Sequence, residues 1–169
     1  MSLSMYSASA PVFTRMLGNM LTWLDKAQAH AETRKFDVSN YLGLRLAPDM
    51  LPFTRQVQIA TDFARGTAAR LAGSEPPSYE DKEQTFAELV TRLERNIAFL
   101  KTLTAAQIDG SEGREIVRPI RGEPKKFNGQ DYLLLYALPN FYFHTTTAYA
   151  ILRHNGIAIG KGDFIGSLG

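Results

Sequence analysis

The amino-acid sequence predicts an all-α fold, a four-helix bundle. Four long stretches carry apolar residues at steps of three and four, the spacing of a helix with one buried face. No strand-rich region, internal repeat or dividing linker interrupts them, so we expect a single domain over residues 1–169. The composition, with 44% apolar and 21% charged residues, is that of a globular protein with a sizeable core.

The first helix is predicted from about Pro11 to Ala31, because proline suits a first helical turn. Its apolar stripe consists of Val12, Phe13, Met16, Leu17, Met20, Leu21, Leu24 and Ala27. Trp23 lies beside this stripe, and we expect its ring to pack in the core or in an interface. His30 lies among polar residues near the helix end, where we expect a solvated side chain.

A long crossover, residues 32–48, separates the first two helices. Its last residue is Pro48, which disfavours helix at the residue before it. The second helix is predicted to open near Asp49, whose carboxylate suits an N-terminal turn, and to end at Leu71. Its stripe consists of Met50, Phe53, Val57, Ala60, Phe63, Ala64, Ala68 and Leu71.

The third helix is predicted to follow Ser78 directly, because Ser78 and Asp81 have the spacing of a capping box. Its buried stripe consists of Phe86, Leu89, Val90, Leu93, Ile97, Leu100 and Leu103. Glu88 and Arg92 are four residues apart and are expected to form an exposed ion pair.

The helical period is lost between Gln107 and Asn128, where a small hairpin is predicted to turn near Gly122. Pro119 lies inside it, which makes it an edge feature and not the centre of a sheet. Two interpretations of its basic residues remain open: a solvent-exposed loop without a binding role, or an electropositive loop near the mouth of a site.

The fourth helix, within residues 130–156, is the most apolar and aromatic part of the chain. Asn140 and His144 are four residues apart in its middle, so they share one helix face. Pro139 is expected to bend or restart this helix, and Gly156 to end it with a left-handed cap. The Gly-rich tail is predicted to be extended and to pack along the bundle or on a second subunit.

The composition also excludes several functional classes. Cysteine is absent, which rules out disulfides, a Cys-ligated zinc site and a thiol nucleophile. The 19 basic and 17 acidic residues are spread through the chain, so we expect no binding to nucleic acid. The longest apolar run, residues 132–138, is far shorter than the roughly 20 residues of a membrane span. With no secretory signal pattern at the N-terminus, we expect a cytoplasmic protein without a membrane partner.

Three segments carry a family resemblance: LRLAPDMLPFTRQVQIATDFA at 44–64, FNGQDYLLLYALPNFYFH at 127–144 and TTTAYAILRHNGIAIGKGDF at 145–164. They are similar to the DinB/YfiT-like superfamily of four-helix bundles, in a branch of unknown function. Better-known members resemble metal proteins, with one His on the second helix and an HxxxH pair on the fourth, followed by Leu-Arg. His144 precedes Leu152-Arg153 at the family spacing, so the resemblance places His144 at the second His of the pair and Asn140 at the first.

The resemblance implies a divalent metal ion, Mn, Ni or Zn, at Asn140, His144 and Asp49, the last near the second-helix ligand position. An amide oxygen is a weak ligand for Zn or Ni. Two alternatives are therefore open: a harder ion held weakly with several waters, or a metal-free network in which Asp49 bonds to the other two residues. Gln56 and Arg45 could line a pocket, and a surface position is the alternative for both.

The superfamily includes thiol transferases that use a bound ion to activate a small thiol. The resemblance therefore implies a metal-dependent or metal-derived enzyme of that kind. The alternative is a non-catalytic bundle that binds a small apolar ligand or serves as an oligomeric scaffold. The resemblance also implies a homodimer.

Overall fold

Four long helices form the body of this protein, of which the computed structural model describes residues 3–167. In chain order the elements are α1 Ala10–Arg34, α2 Phe53–Leu71, α3 Phe86–Thr102, α4 Ala105–Ile108, β1 Ile116–Ile120, β2 Glu123–Phe127, α5 Gly129–Asp131, α6 Leu138–His154 and α7 Lys161–Ile165. A 3-10 turn covers Val38–Tyr41, and a π-helical segment, Tyr132–Ala137, joins α5 to α6. The predicted all-α bundle is confirmed. In the described part of the chain, no helix is long and apolar enough to cross a bilayer.

The long helices bury their apolar stripes against one another. α2 packs along α6 and α3, while α1 packs along α3. The largest fully buried side chains are Trp23, Tyr132, Phe13, Phe53 and Phe141, and they belong to one cluster of core residues. Full burial of one such apolar side chain contributes about 1.5–3 kcal/mol to folding. The core therefore supplies the main force that holds α2 against α6.

The N-terminus of α3 differs from its predicted position. The helix starts after Thr85, whose Oγ1 accepts from the backbone N–H of Glu88 at 3.2 Å. The Glu88 carboxylate accepts in return from the N–H of Thr85 at 2.9 Å, which completes the capping box. The predicted cap at Ser78 is wrong, because this segment is not helical and the Asp81 carboxylate pairs instead with Arg92 at 2.9 Å.

The predicted exposed pair between Glu88 and Arg92 is also wrong, because Arg92 is buried. Its guanidinium donates to Thr61 Oγ1 at 2.7 Å, to Asp62 Oδ1 at 2.7 Å and to Glu83 Oε1 at 2.9 Å. A buried guanidinium needs such partners, since an unpaired buried charge is strongly destabilising. This network holds the chain before α3 against both α2 and α3.

The predicted hairpin is confirmed, with β1 and β2 paired antiparallel. Arg121 (φ 53°) and Gly122 (φ 89°) both adopt positive φ, as a tight two-residue hairpin turn requires. Pro119 lies opposite Pro124. Neither proline has a backbone N–H to donate, so the hairpin cannot extend into a larger sheet. The first four residues of β2 are exposed, which favours the interpretation of this segment as a solvent-exposed loop without a binding role.

The fourth long helix changes type before Pro139. Proline has no N–H to donate to the carbonyl four residues back. The N–H of Leu138 bonds to the carbonyl of Leu133, five residues back, as in a π-helix. The predicted restart is wrong, because α5, the π-helical segment and α6 follow one another without a break through Pro139. Gly156 (φ 94°) ends the helix with the predicted left-handed conformation.

The C-terminal tail packs along the bundle, which was one of its two predicted positions. It is not wholly extended, because residues Lys161–Ile165 form α7. Trp23 Nε1 donates to the carbonyl of Asp163 at 3.0 Å, and the indole stacks on Phe164 with ring centroids 5.5 Å apart. Trp23 is therefore a core residue that also fastens the tail to α1.

Candidate functional site

Gln56 on α2 and His144 on α6 are joined by a hydrogen bond, with 2.7 Å between Gln56 Oε1 and His144 Nδ1. The buried face of α2 places Gln56 among Phe53, Val57 and Ala60. The packing of α2 on α6 therefore brings the amide to the imidazole. Gln56 is only 1% exposed, and its Nε2 donates to the carbonyl of Leu51 at 3.0 Å.

The two hydrogen bonds of Gln56 decide where the proton of His144 lies. The Leu51 carbonyl can only accept, so the amide nitrogen of Gln56 faces it and the amide oxygen faces the imidazole. Because that oxygen cannot donate, Nδ1 of His144 must carry a hydrogen. In the neutral ring, Nε2 then has a free lone pair. Nε2 makes no hydrogen bond within the described chain.

Aromatic rings surround the imidazole of His144. Phe63 stacks on it with centroids 6.2 Å apart, and Phe143 meets it edge-on at 5.2 Å. The ring is half-buried, and this burial lowers the pKa of His144 below its ordinary value of 6.5. His144 is therefore neutral at pH 7, with an acceptor nitrogen at Nε2.

Asn140 lies one turn before His144 on the same helix, as predicted, and is half-buried. Its Nδ2 donates to the backbone carbonyl of Tyr136, in the π-helical segment, at 2.7 Å. Its Oδ1 makes no hydrogen bond among residues 3–167, so it remains an acceptor. α6 thus carries two acceptor atoms on successive turns, Asn140 Oδ1 and His144 Nε2.

Asp49 is exposed, in a turn of the crossover. The prediction that the second helix opens there is wrong, because α2 begins at Phe53 after an extended Pro52 (ψ 165°). Within the described chain, no hydrogen bond or ion pair joins Asp49 to Asn140 or His144. The contact from the second helix to His144 is made by Gln56.

Gln56 is a candidate for lining a pocket from its sequence position, and its place in the helical pattern carries a stronger signal. Gln56 follows Phe53 by three residues and precedes Val57, so it lies on an apolar stripe. A polar side chain on a buried stripe predicts a buried hydrogen-bond partner. Arg45, the other candidate, is exposed and donates to the carbonyl of Met50 within the crossover.

Comparison with known proteins assigns the chain to a family. The family model described as a domain of unknown function, DUF1993, matches residues 5–165. The chain belongs to the DUF1993 family. It is also similar to the crystal structure of a DinB family member protein from Shewanella denitrificans, with a TM-score of 0.91 and 39% identity over 96% of this chain and 92% of that chain. The DinB-like resemblance is thereby confirmed. A search of the curated proteins found no significant relative.

The atoms around His144 do not fit a resident zinc or nickel ion in this DUF1993 protein. Gln56 Oε1 already accepts from His144 Nδ1, and Asn140 offers only a neutral amide oxygen. One imidazole remains, whereas such ions prefer several imidazole or thiolate ligands. In the part of the chain that the structure describes, no three His, Cys, Asp or Glu side chains form a group that could hold a metal. The site does offer two acceptors to a ligand that donates hydrogen bonds.

Proposed function

We propose that this DUF1993 protein is a metal-derived enzyme related to thiol transferases, in which His144 activates a small thiol. The hydrogen bond between Gln56 and His144 carries this proposal, because it fixes a hydrogen on Nδ1 and the lone pair on Nε2. A neutral imidazole held in one tautomer is a suitable general base near neutral pH. Gln56 acts through His144 and is a positioning residue.

The proposed reaction is a substitution at an electrophilic carbon. Nε2 of His144 takes the proton of the thiol, and the thiolate sulfur forms a bond to that carbon. The leaving group departs with the electron pair of its bond to the carbon, and the imidazolium gives its proton to that group where the group is basic or, when it is a halide, to the solvent. Asn140 Oδ1 accepts a hydrogen bond from a donor group of one substrate and thereby orients it.

His144→Gln tests this role against a matched control, His154→Gln, on the same helix but exposed. Conjugation of small thiols to an aryl halide is followed spectrophotometrically with metal-free protein. We expect His144→Gln to lower kcat/KM by about 100-fold and His154→Gln to leave it unchanged. Equal rates in the two variants and the wild type would contradict the proposal.

The divalent ion is a separate prediction. We propose that Asn140 Oδ1, His144 Nε2 and a carboxylate such as Asp49 bind Mn²⁺ weakly, with several water molecules as further ligands. Ni²⁺ and Zn²⁺ are expected to bind these ligands less well. The test is metal content by mass spectrometry after expression with each ion. About one equivalent per chain, lost in His144→Ala, supports a resident ion, and less than about a tenth of an equivalent argues against one.

A non-catalytic binding role is the alternative, favoured by the aromatic rings of Phe63 and Phe143 around an acceptor nitrogen. Such surroundings suit a small apolar molecule with one hydrogen-bond donor. A thermal-shift screen distinguishes the two functions: phenols that raise Tm in a His144-dependent way, without any thiol conjugation, support binding alone.

We also propose that a second copy of the chain covers an exposed apolar face of the fourth helix. Leu135 is 72% exposed and Phe143 57%, and Tyr142 lies seven residues after Leu135 on the same face. Sedimentation velocity of Leu135→Glu tests the homodimer, with Val117→Glu on the hairpin as a control of similar chemistry. We expect a wild-type dimer that only Leu135→Glu dissociates, and a wild-type monomer would overturn the proposal.

Two further predictions come from the sequence. A cytoplasmic location is tested by cell fractionation with a tagged full-length chain. A single domain predicts one cooperative unfolding transition for the whole chain.

A further inference from the structure

A cavity of about 510 Å³ lies where α1 ends, beside the crossover and the end of α6. Its lining residues are His30, Arg34, Phe36, Asn40, Tyr41, Leu44, Asn155 and Gly156. Asn155 follows His144 by eleven residues, about 16 Å along a helix axis. The cavity shares no residue with the His144 site.

The imidazole of His30 is half-buried and contacts a buried tyrosine, which corrects the prediction of a solvated side chain. His30 Nδ1 lies 2.6 Å from the Tyr41 hydroxyl, and Tyr41 is 3% exposed. We assign the hydroxyl as the donor to Nδ1, because Tyr41 is buried and its O–H has no other hydrogen-bond partner among residues 3–167. In the neutral ring, Nε2 of His30 therefore carries the hydrogen and is a donor.

Gly156 leaves room beside that donor. A Cβ at Gly156 would lie 3.7 Å from both Nε2 and Cε1 of His30, so this edge of the ring faces the place where the glycine has no side chain. The positive φ of 94° independently favours glycine at this position. The N–H of His30 is thus open to the cavity.

Arg34 supplies the only formal charge in the lining. It lies in the last turn of α1, and its guanidinium makes no hydrogen bond or ion pair within the described residues. Its positive charge acts on Tyr41: burial raises the pKa of the Tyr41 hydroxyl, and Arg34 partly offsets that rise. The Asn40 side chain likewise makes no hydrogen bond within residues 3–167.

The remaining walls are apolar. Phe36 and Leu44 are half-buried, and the Phe36 ring meets Tyr41 edge-on with centroids 5.6 Å apart. An apolar wall with a few convergent donors is typical of small-molecule sites. A guanidinium is suited to bind a carboxylate through two parallel hydrogen bonds.

We propose that this cavity binds a small organic carboxylate, with its apolar body against Phe36 and Leu44 and its carboxylate on Arg34 and the N–H of His30. The mixed cavity beside α3 is lined by both acids and bases that pair internally, Glu80 with Lys82 and Glu83 with Arg92. No carboxylate side chain lines the His30 cavity, so the guanidinium of Arg34 is free for a ligand.

The test uses the intact ¹⁵N-labelled protein and three probes of one shape: benzoate, neutral benzamide and cationic benzamidine. We expect benzoate to shift the backbone amides of Asn40, Asn155 and Gly156 and the side-chain amides of the two asparagines, with a saturable Kd of about 1 mM or tighter, which is about −4 kcal/mol. Benzamide is expected to bind at least about tenfold more weakly, because it lacks the charge-assisted contact.

Arg34→Gln is expected to weaken benzoate binding by about tenfold or more. Lys101→Gln is its matched control, since Lys101 is also an exposed cation in the last turn of a long helix. Equal affinities in the two variants, equal binding of benzamide or benzamidine, or no saturable shift up to about 10 mM benzoate would each overturn the proposal.

Discussion

The two half-buried histidines of this protein have similar hydrogen-bond lengths and opposite hydrogen-bond chemistry. His144 Nδ1 lies 2.7 Å from an amide oxygen of Gln56, which can only accept. His30 Nδ1 lies 2.6 Å from the hydroxyl of Tyr41, which we assign as the donor because this buried hydroxyl has no other partner among the described residues. His144 therefore presents an acceptor at Nε2, and His30 presents a donor there. The comparison shows that the partner of one ring nitrogen decides what the other nitrogen can bind.

The groups around the two imidazole rings differ as well. Around His144 are the rings of Phe63 and Phe143. Beside His30 is the guanidinium of Arg34, which has no hydrogen-bond or ion-pair partner among the described residues. The first environment suits a ligand that donates a proton or a hydrogen bond, and the second suits an anion. Two sites of the same residue type thus favour ligands of opposite character.

The largest expected difference between the two rings is their tautomer. ¹⁵N chemical shifts of the imidazoles at pH 7.5 are expected to show hydrogen on Nδ1 of His144 and on Nε2 of His30. Exposed His154 provides the solvated reference in the same spectrum. One shared tautomer for His30 and His144 would contradict the comparison.

Removing the acceptor of His144 is expected to have the largest effect on stability. Gln56→Leu leaves both the Nδ1–H of His144 and the carbonyl of Leu51, which share a part-buried hydrogen-bond pair with Gln56, without that partner, which predicts a loss of about 2 kcal/mol in unfolding free energy. Chemical denaturation measures it. The control Gln28→Leu, at an exposed position, is expected to stay within about 0.5 kcal/mol of wild type. Equal losses in the two variants would show that the hydrogen bonds of Gln56 do not add to the unfolding free energy.

Removing the donor of His30 is expected to cost less. Tyr41→Phe keeps the buried ring and leaves one half-buried acceptor, Nδ1, which a ring flip or water can satisfy, so we expect a loss of about 1 kcal/mol. Tyr149→Phe is the control, because that hydroxyl lies 3.4 Å from the carbonyl of Ile159 and is weakly bonded. Imidazole ¹⁵N shifts in Tyr41→Phe are expected to show a mixture of the two neutral tautomers of His30.

The smallest expected effect is a pH dependence of stability. The pKa of His144 is lower in the folded chain than its ordinary 6.5, because burial disfavours the charged ring. The unfolded chain therefore binds this proton first as the pH falls below about 6.5, and stability decreases until the pH is below the folded pKa. Denaturation at pH 7.5 and 5.5 is expected to show a smaller decrease for His144→Gln than for His154→Gln, and identical decreases would exclude this contribution.

Local features of the fold were predictable from the sequence because their causes are local. The apolar stripes of the long helices, the hairpin around Gly122 and the helix end at Gly156 follow from side-chain spacing and glycine conformation. The predicted start of α3 is wrong because the sequence contains two capping motifs, one at Ser78 and one at Thr85. The motif at Ser78 does not form a cap, since the Asp81 carboxylate forms an ion pair with Arg92. The four-residue spacing also predicted an exposed ion pair between Arg92 and Glu88. The hydrogen-bond partners of Arg92 lie instead on α2 and in the segment before α3.

The sequence by itself determined that Asn140 and His144 share one face of the fourth helix, since a spacing of four residues stacks side chains in any α-helix. Only the tertiary structure decided which residue of the second helix contacts His144. That choice depends on where the crossover ends and how α2 is rotated against α6, and both are set by the burial of Phe53, Val57 and Ala60. Gln56 shares that buried face, whereas Asp49 lies in a solvated turn before the helix begins.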